Sequence, residues 1–153
     1  MLTFEVQGIP APKGSTRSFR HNRTGQVVTT GDNPNTRPWQ AAVGWCAAAA
    51  MKGAEPTLGA VAVEVVFRFP RPKSHYRKSG ELKPKAPARH TTKPDLDKLT
   101  RALFDALTGI VWRDDSQAFT VQATKDYAGF PCHPGAVVVV TEVPPPRFLG
   151  GTP

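Results

Sequence analysis

A chain of 153 residues with 39% hydrophobic and 21% charged residues suits one globular domain and excludes a disordered or low-complexity protein. The formal charge of +8, from 20 Lys and Arg against 12 Asp and Glu, favours a polyanionic partner. Cys46 and Cys132 form no C-x-x-C pattern, no basic region precedes an apolar stretch at the start, and the longest apolar run, residues 41–51, falls short of a bilayer span of about 20 residues. A reducing cytoplasm and no membrane role are expected.

Leu2, Phe4 and Val6 alternate with polar neighbours, which predicts a half-buried strand ended by Gly8-Ile9-Pro10. The turn-rich, cationic text PAPKGSTRSFRHNR follows, and a short strand over Gln26–Thr30 would close a hairpin-like excursion. Asn35-Thr36 offers a helix cap, and the alanines of Trp39–Met51 predict a helix stopped at Gly53. Trp39, Ala42, Val43, Cys46 and Ala50 form one apolar stripe, with Trp45 and Ala49 off it. Such a helix is buried on two sides or meets another subunit.

Ala60–Phe69 reads as a strand ended by Pro70, and residues 71–93 as a proline-containing loop with no helical or strand period. Leu96, Leu99, Leu103, Ala106, Leu107 and Ile110 then recur at helical spacing, from near Asp95 to near Gly109. Strands are expected over Gln117–Lys125 and Ala136–Val143, followed by a Pro/Gly-rich flexible tail over 144–153. The order predicts an α+β fold: one small domain over 1–143, with a mixed or mostly antiparallel sheet packed with two main helices.

The positive charge is concentrated in the basic loops at 10–37 and 70–94. In the second, Arg71, Lys73, Arg77, Lys78, Lys83, Lys85, Arg89 and Lys93 stand against one acid, Glu81. Lys13, Arg17, Arg20 and Arg23 of the first loop, with Lys83, Lys85, Arg89 and Lys93 of the second, are the candidate contacts to the backbone of such a polyanion.

Where the second loop meets the helix stands Lys93-Pro94-Asp95-Leu96-Asp97. Pro94 favours an extended Lys93 and makes Asp95 the N-cap, and the helix N-terminus favours both carboxylates as anions. Alone, this fragment is also simply a capped helix with a favourable first-turn acid. A second acidic pair, Asp114-Asp115, follows the same helix; whether it returns to the helix start depends on the following strand. Hard oxygen ligands suit Mg²⁺ or Mn²⁺. The scattered His21, His75, His90 and His133 give little support to a closed zinc site, and His21 reads as a solvated or phosphate-contacting loop residue. Walker A, G-x-G-x-x-G and G-x-S-x-G motifs are absent.

Residues 95–117, DLDKLTRALFDALTGIVWRDDSQ, resemble the RusA-type Holliday-junction resolvases of bacteria and their phages, with their D-L-D-N, F-D-A-L-T and W-x-D-D pattern. PAPKGSTRSFRHNR is similar to that family's proline-plus-basic N-terminal loop, and with the order of elements the resemblance covers most of residues 1–143. It implies catalytic, metal-holding carboxylates at Asp95, Asp97 and Asp115, with Asp114 assisting. It further implies Mg²⁺, with Mn²⁺ as its substitute, and a symmetric homodimer that nicks opposing strands of four-way junctions in DNA recombination and repair. This chain departs from the pattern at Lys98, where the family often has Asn, and at Arg101, where it has a catalytic Lys. The catalytic cation is thus Arg101 or Lys98. Two other readings fit the same residues: a general or flap-type metal nuclease, and a non-catalytic basic DNA-binding protein whose acids are caps and turns.

Overall fold

The period-two pattern at the start forms strand β1 (Leu2–Gln7), with Phe4 and Val6 turned into the core. The computed structural model describes residues 1–14, 17–30, 33–129 and 132–145. The tail from residue 146 on lies outside them, as does the side chain of Arg17. The first basic loop is a hairpin of β2 (Arg17–Arg20) and β3 (Val27–Thr30), paired antiparallel and separate from the main sheet.

Helix α1 (Thr36–Met51) begins three residues before the predicted Trp39. Asn35 holds the N-cap position but makes no side-chain capping bond; the end is fixed instead by Thr36, whose Oγ1 donates to the Pro12 carbonyl at 2.6 Å. Pro38 is tolerated because the first-turn N–H groups have no intrahelical acceptor. Trp39, Val43 and Ala47 are buried, whereas Trp45 remains 80% exposed. One apolar face is therefore covered within the chain and the other is not.

Strand β4 (Ala60–Pro70), β5 (Ala118–Ala128) and β6 (Gly135–Val143) join β1 in a sheet of order β1-β6-β4-β5. Every pairing is antiparallel except β4 with β5, so the sheet is mixed and the fold α+β, as expected. Gly135, at φ +155, lets β6 approach β1, since a Cβ there would run into the Val6 carbonyl. Helix α2 (Leu96–Leu107) links β4 to β5 as the crossover of a β-α-β unit.

Alternation along β4 buries Val61, Val63, Val65, Phe67 and Phe69 on one sheet face, against Trp39 and Val43 of α1 and Leu99, Leu103 and Leu107 of α2. Complete burial of each such aliphatic side chain contributes about 1.5–3 kcal/mol. Glu64 on the opposite face is exposed. Residues 71–93 contain no long element, only a 3₁₀ turn at Lys73–His75 and a Tyr76–Leu82 bridge. Among the described residues, no helix is long and apolar enough to cross a membrane.

Candidate active site

The crossover topology puts the head of α2 at the carboxyl ends of β4 and β5, the edge where open α/β sheets usually hold their ligands. Asp95 is the N-cap of α2 by backbone (φ −72, ψ 139), and its carbonyl accepts from Leu99 N at 3.1 Å. Its carboxylate makes no capping bond. The simple cap reading therefore does not account for this side chain, whose Oδ2 lies 3.8 Å from Lys98 Nζ. Asp97, in the first turn of α2, is exposed and has no ion-pair or hydrogen-bond partner among the described residues. Both carboxylates stand in the positive field of the helix N-terminus.

The strand that returns to this helix start brings a residue the sequence reading missed. Lys125 of β5 donates from Nζ to the carbonyls of Thr92 (2.7 Å) and Pro94 (2.9 Å), fixing the segment that presents Asp95. A period-two reading of Phe119, Val121, Ala123 and Lys125 places Lys125 on the helix-facing side of β5, but the sequence does not indicate which backbone it meets.

The second acidic pair lies at the other end of α2. Trp112 is fully buried, edge-on to Phe104, and donates from Nε1 to Thr108 Oγ1 at 3.1 Å. Behind it, Gln117 is a second missed residue. Its Oε1 accepts from the backbone of Arg113 and Asp114, and its Nε2 donates to the carbonyls of Thr57 and Gly59, all at 2.9 Å. Asp114 caps the 3₁₀ turn Asp115–Gln117, accepting from Ser116 N at 2.8 Å. The Ser116 hydrogen bonds hold the Asp114 carboxyl below its ordinary pKa. Both acids are exposed, but the Asp114 carboxylate is committed to the turn, which leaves Asp115 as the member of the pair available to a ligand.

Asp95 and Asp115 are consequently separated by the length of α2, whose 12 residues span about 18 Å at 1.5 Å per residue. Among the described residues no three His, Cys, Asp or Glu side chains converge as a metal site. One chain brings Asp95 and Asp97 to the same helix end, and leaves Asp115 and Asp114 at the other.

The expected cations divide into free and engaged groups. Arg101 is exposed, one helical turn beyond Asp97, with no acidic partner among the described residues. Arg20 and Arg23 on the hairpin, and Lys83, Lys85 and Lys93 on the second loop, are likewise exposed. Lys13 pairs with Asp105 at 2.5 Å, and Arg89 with Asp126 at 3.0 Å, so both are already partly neutralised within the chain. The second loop is pinned to the sheet by aromatic contacts. His90 stacks on Phe69 with ring centroids 4.4 Å apart, and the Arg71 guanidinium lies 4.1 Å from the Tyr127 ring centre. Burial, together with the charge of Lys125, lowers the pKa of His90.

The family model described as endodeoxyribonuclease RusA matches residues 9–140. The chain is also 34% identical over 87 residues to the uncharacterized protein YqaN of Bacillus subtilis (strain 168). That alignment covers 56% of this chain and 59% of the relative, so the chain spans less than two thirds of the relative's length.

Proposed function

The chain belongs to the endodeoxyribonuclease RusA family, and from that premise we propose that it is a divalent-metal-dependent endonuclease that resolves four-way DNA junctions by paired cuts. The observation that carries this reading is the head of α2, where Asp95 and Asp97 stand uncapped and exposed beside Lys98, Lys93 and Arg101. Hard carboxylate oxygens at a helix N-terminus fit Mg²⁺ or Mn²⁺, and a third such ligand is missing from that end of the chain among the described residues.

A second copy would supply it. Strand β5 is an edge strand; Val121, 45% exposed, lies on the face that elsewhere carries the helices, and Phe119 near it is 61% exposed. Antiparallel approach of two β5 edges about a two-fold axis would set the start of one strand opposite the end of the other. Asp115 precedes that start, and Lys125 with Asp95 lies toward that end. The proposed site is therefore Asp95 and Asp97 of one protomer with Asp115 of the partner subunit, and the exposed Trp45 adds apolar surface available for association. The two-fold axis would generate two equivalent sites, as paired cuts require.

A bound Mg²⁺ would supply Lewis-acid polarisation of the phosphodiester and increased acidity of a water molecule. Asp95, held by the Lys125-anchored segment and faced by Lys98, and Asp97 would hold the cation. Arg101, on the exposed side of α2 and without an acidic partner among the described residues, offsets the charge that develops on the phosphate. Arg20, Arg23, Lys83, Lys85 and Lys93 attract the DNA backbones. The metal preference, the homodimer and a place in recombination and repair within the cytoplasm all belong to this proposal. The test is incubation with labelled four-way junctions, flaps, duplex and single strands, in Mg²⁺ and in excess chelator. Metal-dependent, symmetrical cutting of junctions is expected. Equal cutting of flaps and duplex would instead indicate a general nuclease, and tight binding without cleavage a DNA-binding protein.

A further inference from the structure

Beside the head of α2, between the end of β1, the start of α1 and the end of β4, lies a cleft of about 810 Å³ lined in part by Trp39, Phe69, Asn35, Lys93, Asp95 and Lys98. Its walls are joined by hydrogen bonds: Thr36 Oγ1 donates to the Pro12 carbonyl at 2.6 Å, and Lys13 N to the Lys98 carbonyl at 3.0 Å. The site is thus formed before any ligand arrives, and its volume is in the range of small-molecule sites. Trp39 is 4% exposed, yet its indole N–H has no acceptor among the described residues. A buried donor without an acceptor is costly, and a ligand acceptor would relieve that cost. Apolar walls, an unpaired indole donor and an amide able both to donate and to accept suit a planar heterocycle with mixed polar edges.

We propose that this cleft receives one unstacked nucleobase of the bound DNA, next to the phosphate presented to Asp95. The proposal rests on the nuclease reading above. Lys93 and Lys98 line the same cleft as Asp95 and would hold phosphates flanking the displaced nucleotide, while Trp39 and Asn35 meet the edge of the base. Displacing a base is least costly where stacking is already interrupted, as at a branch point. Cleavage would then depend on base identity at one position, which backbone contacts alone do not provide.

The test uses four-way junctions carrying 2-aminopurine at one position at a time around the cut, bound to the Asp97→Asn protein. Emission should rise several-fold at one position and stay flat at its neighbours. In cleavage of unmodified junctions, Trp39→Phe, which keeps an apolar ring and removes the donor, should reduce the preference between the best and worst base there by about tenfold, the scale of one buried hydrogen bond. Asn35→Ala, at an exposed position where folding is not at stake, should also shift that preference. Flat emission at every position with binding intact, or base preference unchanged in both variants, would overturn the cleft proposal and leave the nuclease reading standing. Failure to bind or cut any branched DNA would overturn the nuclease reading, and this proposal with it.

Discussion

Lys125 is tied to Pro94: its ammonium donates to the Pro94 carbonyl at 2.9 Å, immediately before Asp95, and to Thr92 at 2.7 Å. Lys125→Met removes both bonds from the segment that presents the carboxylate. Misplacement of a reacting group by about 1 Å costs roughly 10²-fold in rate. We expect a loss of that order in single-turnover cleavage with junction affinity nearly unchanged, and partial recovery in Lys125→Arg. A parallel loss of binding and cleavage would assign Lys125 to DNA contact instead.

Asp97→Asn should abolish cleavage and leave junction binding intact or tighter, since it removes a proposed metal ligand and one negative charge near phosphate. Gel-shift affinity and cleavage of the same junction measure the two effects. Loss of both would mean that Asp97 serves the fold rather than the reaction.

The basic residues should separate by their existing partners. Neutralising Lys83 and Lys85 together should reduce the salt dependence of binding by up to about 0.9 in log-log slope for each phosphate that no longer has a cation against it. Neutralising Lys13 and Arg89, which already face Asp105 and Asp126, should change it less. Equal slopes for the two double variants would show that the internal pairs open when DNA binds.

Stability should fall with pH through His90. Burial and Lys125 hold its folded pKa below the ordinary value, so the unfolded chain takes up the proton more readily. Its contribution is intact above about pH 6.5, the unfolded value, and is lost as pH falls through the folded pKa. Urea midpoints from pH 8 to pH 5 should decline for the parent, and more shallowly for His90→Phe, which keeps a ring against Phe69. Identical pH profiles would remove His90 as a cause.

The elements with clear periodicity were readable from sequence: β1, β4, β6 and α2 lie within a few residues of where their apolar spacing predicts. Trp45 illustrates a limit, because the surplus apolar face of α1 was legible but which part of it the chain itself covers is set by tertiary packing, which leaves Trp45 exposed. Asp115 illustrates another. Its motif was readable, yet that β5 carries Lys125, rather than Asp115, back to the head of α2 is a tertiary relation that local sequence does not encode. Lys125 and Gln117 escaped because both act on backbone groups, Lys125 on carbonyls and Gln117 on carbonyls and N–H groups, which carry no residue-specific signal.

The central claim, a site shared between two protomers, is tested most directly by mixing Asp97→Asn with Asp115→Asn protein under conditions that exchange subunits. Each variant alone should be inactive. A mixed dimer would carry one site with both substitutions and one site with neither, so random mixing of equal amounts should restore junction nicking to about a quarter of the parental level, from the statistics of a two-fold dimer. If Asp97 and Asp115 instead served within one chain, every site in the mixed dimer would carry a substitution, and the exchanged mixture would remain as inactive as its components.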